Sequence, residues 1–471
     1  MSQTSNYSIR FNLGLFLVSG ILLGFLVTVS PYAAVFATLA LFVLFAFAKS
    51  PLKALSILIL LVPFSAMELF NEAVMNLPGA KPLHLLAFFV LAIAAFHYKQ
   101  AEPVPGYAKV FILVLVAIFS ISVVRSLSHG EIFSYLEEEK LSTSQYLLSY
   151  YLKPLIYFMP LLVIIKFAKG KGHLAFVANV MVWSIMVLTA FLLFLYVFKC
   201  PNKTDVWAVK DYFSLVLNQH TNDLANFYIV VFPVVLMRFF LKKDLTSIVG
   251  LGLTVLGIGI LYSRTAYVTM VFTFLMYLVI SRRAKILPVF LIVALGLSLV
   301  IGASVKKRLT KGFDSKDYNE ISAGRIDDIW LPLIEEYSQN PRKLVLGNGR
   351  YSIITSEAFR EGTILDTVRH PHNMYLELVL DTGILGLLIV VICSGVVVRK
   401  VLKGLRVVRN DEIREYLYAV LVSMTSYFVA GLSGRSVYPD VSNSFFWIVV
   451  GMAVATLRLL PNSGESTLEE T

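Results

Sequence analysis

The stretch NMYLELVLDTGILGLLIVVICSGV, residues 373–396, decides the fold class. It is 24 residues long, and its only charges, Glu377 and Asp381, lie near one end. At about 1.5 Å per residue, a helix of this length exceeds the roughly 30 Å hydrocarbon core of a bilayer. A membrane barrel strand would alternate polar and apolar residues over about 10 positions, and this stretch does not alternate. It reads as a membrane-spanning helix with a polar entrance.

The same pattern recurs along the chain. Of its 471 residues, 57% are hydrophobic and 15% are charged; soluble domains average about 25% charged. The mean hydropathy is +0.76. Fourteen candidate spans fall near 12–29, 32–48, 54–70, 82–97, 109–126, 151–165, 174–197, 223–240, 246–262, 265–280, 286–304, 373–396, 415–432 and 443–459. The shortest leave twelve possible. The expected fold is therefore all-α, a polytopic transmembrane bundle of 12–14 spans. The first span follows Arg10 without a cleavage signal and reads as an uncleaved helix rather than a removed leader.

The net charge of +11 would suggest nucleic acid in a soluble protein. Here the basic residues sit at span ends. With the N-terminus inside, the inner connections hold 21 Lys and Arg and the short outer ones hold 9, as the positive-inside rule requires. No nucleic-acid partner is implied. Both termini are expected in the cytoplasm. The chain divides into an N-terminal bundle (1–304), a large outer loop (305–371), C-terminal spans (372–460) and a polar tail (461–471). Cys200 and Cys393 suggest neither a disulfide nor a metal-thiolate site.

Long outer connections suggest function, since short ones suffice for packing. Within the large loop, RIDDIWLPLIEEYSQNP (325–341) puts Ile326, Trp330, Leu333, Ile334 and Tyr337 at helical spacing, which predicts an amphipathic helix over the outer membrane face. The GNG at 347–349 ends helical structure.

Four segments carry candidate chemistry. Arg264, in LYSRTAYVT (261–269), lies between two apolar spans. It either snorkels to the interface or binds an anion, since guanidinium grips phosphate through two bonds. Arg325 opens the amphipathic helix, where pairing with Asp327 or Asp328 is the plain structural alternative. In NQHTNDLANF (218–227), His220, Asn222 and Asp223 stand at the outer end of a span, and Asn222 or Asp223 is expected to cap the helix. His370 and His372 flank Pro371. Their spacing does not suit a metal pair on a helix, and no neighbouring cluster completes a zinc site. A neutral histidine can act as a general base near pH 7; capping or interface packing is its structural alternative. At about 100° per residue, Leu376, Val379, Gly383 and Gly386 share the direction of His372. That predicts a continuous helical mount with a small-residue face. Glu377 and Asp381 point away from it, without an evident role.

These residues resemble a known family. HNMYLELVLDTGILG (372–386) is similar to the signature of bacterial O-antigen ligases: His, then Asn, Ser or Gln, nine residues, Gly, two residues, then Gly, Thr or Tyr. His372, Asn373, Gly383 and Gly386 meet each position. SRTAYV (263–268) and GRIDDIW…LGNG resemble the arginine segments of the O-antigen ligase and polymerase family. The likeness runs from about residue 220 to 390. It implies a GT-C-type glycosyltransferase of the inner membrane with its active site facing the periplasm, no cofactor and no metal. The implied donor is a glycan on undecaprenyl diphosphate, and the implied acceptor is lipid A–core. Carried over, His372 would be the general base, and Arg264 and Arg325 would bind the diphosphate. Asn373, His220 and Asn222 would contribute to the substrate cavity.

Related readings are an O-antigen or exopolysaccharide polymerase and a protein O-oligosaccharyltransferase. A reading of another class is a transporter or flippase, favoured by glycine-rich spans such as 250–258. The few charges within the spans, and the gathering of His and Arg on one face, argue for surface chemistry instead.

Overall fold

The computed structural model describes residues 47–71, 81–136, 141–288, 319, 322, 324–366, 368–434 and 437–460. Among these residues every regular element is helical, and the chain is a multi-pass membrane protein. The elements that matter here are α1 (Pro51–Leu61), α2 (Pro82–Phe96), α3 (Gly106–Ser126), α4 (Thr143–Phe167), α5 (Lys171–Lys199), α6 (Val206–Leu217), α7 (Thr221–Lys242), α8 (Leu245–Ile260), α9 (Arg264–Ile280), α10 (Leu331–Gln339), α11 (Pro341–Leu346), α12 (Met374–Val407), α13 (Asp411–Ala430) and α14 (Ser444–Arg458).

Seven helices among the described residues are long and apolar enough to cross a membrane, and four more are apolar but shorter. They correspond one for one to the candidate spans that fall there. The candidate at 12–29, that at 32–48 up to residue 46, and that at 286–304 from residue 289 onward lie outside the described residues, as do the 304/305 boundary and the tail. The glycine-rich stretch 250–258 is not interrupted. It forms part of one helix, α8, where Gly257 leaves room for the Tyr228 ring.

Local sequence sets the helix ends. Asp205, Asp244, Asn340 and Asn410 each accept a backbone N–H at the start of α6, α8, α11 and α13, which satisfies donors that a helix leaves unpaired. Pro82 opens α2, where its missing N–H costs nothing.

At the centre, α7 packs against α13, α8, α9 and α5, while α14 packs against α4 and α13. Tyr427 stacks on Phe446 at 4.2 Å and Phe158 meets Trp447 edge-on at 4.8 Å. Between apolar helices in lipid, small hydroxyl groups supply cohesion. Thr189 bonds Tyr228 at 2.8 Å, Thr273 bonds Ser426 at 2.6 Å, and Ser423 donates to the Val230 carbonyl at 2.8 Å. At the C-terminal end of α9, Arg283 grips Glu415 through both nitrogens and stacks on Phe240, and Tyr277 donates to the same carboxylate. The N-terminal end of the same helix carries Arg264.

The most consequential feature is a break in α12. Gly383 has φ 75° and ψ 176°, so the helix divides into a short upper arm and a long lower one. This corrects the expected continuous mount: Gly383 and Gly386 do not extend one helical face downward from His372. A non-glycine residue rarely adopts that conformation. There is also no room for one, because a Cβ on Gly383 would overlap the backbone of Val345 and Leu346. The small residue admits the loop helix α11, not another span.

A break leaves backbone carbonyls without helical partners, which is tolerated at membrane depth only where other protein groups satisfy them. The loop supplies those groups. Asn348 N donates to Leu380 O at 2.8 Å, Gly349 N to Asp381 O at 3.0 Å, and the Tyr337 hydroxyl to Leu380 O at 3.3 Å. Gly347, at φ 71°, makes the same close approach from the loop side. The GNG thus ends α11, as expected, and also docks it.

The amphipathic helix forms with a shifted phase. Residues 326–330 make a wider, π-type turn before α10. Ile329, Leu333 and Tyr337 become the buried stripe, whereas Ile334 is 50% exposed. The expected inclusion of Ile334 fails because the wide turn rotates all that follows it. The stripe also packs inward, toward the α12 break, rather than lying free over a membrane face.

Candidate active site

Three of the segments singled out above meet at one cavity of about 400 Å³. Its wall comprises the start of α7, the start of α9, residues 368–372 and the connection from α13 to α14. His220, Asn222 and His372 all line it, together with Asp223, Arg369 and His370.

Each side chain is set by a helix end. At α7, the cap is not Asn222 or Asp223, as expected. His220 takes that role, its Nδ1 accepting the Asn222 N–H at 3.2 Å. Its ring nitrogen does the work usually given to a short oxygen-bearing side chain, and Asn222 and Asp223 become first-turn residues on the cavity wall. At α9, Ser263 caps through the Ala266 N–H at 3.4 Å. Arg264 is then the first helical residue, half-buried between Ser263 and Thr265, which both line the cavity. At α12, Asn373 Oδ1 accepts from Tyr375 N at 3.0 Å and Leu376 N at 3.1 Å. Its oxygen is therefore occupied in holding the helix start, immediately after His372.

His372 is half-buried, with φ 53°. That left-handed backbone is uncommon outside glycine, although histidine tolerates it better than most residues. It persists only where the surroundings over-determine it. Three contacts do so. The Trp330 Nε1–H donates to the Pro371 carbonyl at 2.7 Å. The His370 ring packs edge-on against His372, with centroids 4.1 Å apart. Arg369 Nη1 donates to the Leu136 carbonyl at 2.5 Å. His370 is thus a wall of the cavity in its own right.

Arg325 is drawn to the same place. Its Nη1 donates to Ser433 Oγ at 2.6 Å, and Thr265 Oγ1 donates to that hydroxyl at 3.0 Å. Ser433 lines the cavity, so one serine ties the loop arginine, the start of α9 and the α13–α14 connection together. No sequence signal marked Ser433, which is one serine among many in a glycine-rich turn.

A polar cluster supports the upper arm of α12 and answers for Glu377 and Asp381. Arg350 Nη1 donates to Glu377 Oε1 and, at 3.2 Å, to Asp381 Oδ2. Its guanidinium lies 4.4 Å from the ring centroids of both Tyr351 and Tyr438. Ser352 Oγ donates to Asp381 Oδ1 at 2.9 Å, and the Arg350 backbone joins α3 through Ser122 O at 2.8 Å and Ser126 Oγ at 3.0 Å. Burial, together with the nearby Asp381 carboxylate, pushes the Tyr438 hydroxyl well above its ordinary range. It therefore stays a neutral phenol over the guanidinium. Among the described residues, no group of three His, Cys, Asp or Glu is arranged to hold a metal ion.

Residues 249–391 match the family model described as O-Antigen ligase. That segment is under a third of the 471-residue chain and is what the chain shares with the family. No curated protein matches the chain. The matched segment begins within α8 and ends within α12, so it takes in Arg264, Arg325, His372 and the break at Gly383. His220 and Asn222 lie outside it and reach the same cavity only through the fold. The family comprises glycosyltransferase-like enzymes and implies lipid-linked glycan substrates.

Proposed function

We propose that the cavity transfers a glycan from undecaprenyl diphosphate to an acceptor hydroxyl, with inversion at the anomeric carbon. The observation that carries this reading is the convergence of His372 with Arg264's helix start and Arg325's tether on one cavity of about 400 Å³. In this reading a ring nitrogen of His372 takes the acceptor's hydroxyl proton. The oxygen then bonds to the anomeric carbon as the bond from that carbon to the phosphate oxygen breaks. The leaving diphosphate gains charge, and Arg264 and Arg325 stabilise it. Fixed cations aimed at developing charge are worth about 10²–10³ in rate each, and a positioned base contributes about 10²–10⁴. Asn373 supports His372 as the helix cap, while His220 and Asn222 complete the cavity wall. No metal is required by these roles.

The charge bias of the connections supports a periplasmic position for this cavity, with both termini in the cytoplasm of a cell with an inner membrane. Among acceptors, lipid A–core is preferred because His372, Asn373, Gly383 and Gly386 meet the ligase signature in full.

The test is transfer in membranes supplied with undecaprenyl-diphosphate glycan and acceptor. His372→Ala should lose transfer by at least about 10²-fold while the protein still assembles. Wild-type rates in that variant would remove the general-base role. Deletion in the host followed by gel analysis of lipopolysaccharide assigns the acceptor: accumulated lipid-linked polymer supports the ligase reading, and single repeats on the core replace it with a polymerase.

A further inference from the structure

A second cavity, of about 310 Å³, lies on the other side of the polar cluster. Its wall is built from the connection between α1 and α2, the start of α2, the upper part of α4, Arg350–Tyr351 and residues 439–441. We propose that this cavity holds a sugar residue bearing an acidic group, carboxylate or phosphate, on the acceptor glycan. The proposal rests on the assignment of the first cavity to the donor.

The chemistry of the wall points to such a ligand. Lys81, Lys153 and His84 line it together with one carboxylate, Asp440, which accepts the Val441 N–H at 2.6 Å. Arg350 also borders the cavity, but Glu377 and Asp381 offset its charge. Lys153 is the informative residue. It sits half-buried on α4, reaches Ser149 Oγ at 3.5 Å, and makes no ion pair among the described residues. An ammonium group held among helices is costly unless an anion meets it. Beside it, the Tyr150 and Tyr351 rings stand nearly perpendicular, at 85°, with centroids 5.5 Å apart. Such a corner accepts the flat apolar face of a sugar ring, as a few polar groups on an aromatic wall suit a small ligand.

The two cavities share walls. The α13–α14 connection contributes Ser433 and Gly434 to the first, and Pro439, Asp440 and Val441 to the second. Arg350 borders the second and holds Glu377, one helical turn from the Asn373 cap that follows His372. An extended acceptor can therefore present its hydroxyl at the first cavity and anchor a neighbouring acidic sugar in the second.

The experiment is titration calorimetry on the full chain in detergent, with trigalacturonate, glucose 6-phosphate and uncharged maltotriose as probes. At least one anionic probe should bind ten times or more tighter than maltotriose, and the one that binds identifies carboxylate or phosphate. Lys153→Ala and Lys153→Gln should weaken that binding at least tenfold, and Lys153→Arg should retain it within about threefold. Equal affinity for maltotriose, unchanged affinity in Lys153→Ala, or no binding by any probe would overturn the proposal. Arg264→Ala separates the two readings. It should lose transfer yet keep saccharide binding; unimpaired transfer in Arg264→Ala would remove the donor assignment while leaving the saccharide site standing.

Discussion

Two glycines on α12 should respond to the same substitution with opposite signs. Gly383→Ala places a methyl group 2.5 Å from Leu346 N and closer still to the Val345 carbonyl. Real contacts of that kind stay beyond about 3.0 Å, and both neighbours are backbone, so no side chain can swing aside. A residue other than glycine in this backbone region costs about 1–3 kcal/mol, and forcing an extra carbon into a filled space costs a further 1–3 kcal/mol or so. A loss of about 2–6 kcal/mol is expected. Gly395 lies on the lower arm of the same helix, and a Cβ there meets nothing within 4 Å. Gly395→Ala should stabilise by about 0.4–1 kcal/mol, because alanine has less conformational freedom to lose. The assay is thermal unfolding of both variants in the same detergent, with transfer activity measured alongside. If Gly383→Ala lies within about 0.5 kcal/mol of wild type, the break does not depend on this glycine, and the docking of α11 has been misread.

Trp330→Phe keeps the ring and removes the donor to the Pro371 carbonyl. It should lower kcat about tenfold with donor KM little changed, as expected where an unsatisfied buried carbonyl costs about 1–3 kcal/mol; an unchanged kcat would show that His372 is held without it. Arg350→Met leaves Glu377 and Asp381 buried without their cation and should destabilise by about 3–5 kcal/mol. Unfolding of that variant, compared with the triple change Arg350→Met, Glu377→Gln, Asp381→Asn, should show partial recovery in the triple. Arg264→Lys should lose most transfer activity, since a point charge replaces a fork; full activity would mean that the arginine only snorkels. Chelation with EDTA should leave the transfer rate unchanged, and inhibition reversed by a divalent ion would contradict the metal-independent mechanism.

The spans were legible because lipid imposes a length and a polarity that few residues violate. Eleven stretches in the described region could be read directly from apolar runs. The break in α12 was hidden for the same reason: TGILG sits inside an apolar run, and an angular projection assumes the regular helix that Gly383 interrupts. Its cause lies more than 30 residues upstream, in the Val345–Leu346 backbone. Ile334 went astray because one wide turn changed the phase of the stripe. The candidate site was legible at His372, which lines the cavity, whereas Asn373, expected in the cavity, caps the helix that follows. It was partly legible where two segments meet, as with His220 and His372. It was illegible at Ser433, whose importance comes only from Arg325 and Thr265 arriving from elsewhere. Glu377 and Asp381 made sense only once Arg350 was found beside them.

The division of α12 would also set the height at which the proposed chemistry occurs. Past Gly383 the helix continues to Val407, a run of about 36 Å at 1.5 Å per residue. That is enough to cross roughly 30 Å of hydrocarbon without help from the upper arm. The lower arm can tilt to suit thinner or thicker lipid, while α11, α3 and the Arg350 cluster clamp the upper arm to the protein. The general-base histidine proposed here would then keep its distance from the cavity floor whatever the bilayer does. Transfer rates should accordingly change little between vesicles of shorter and longer acyl chains.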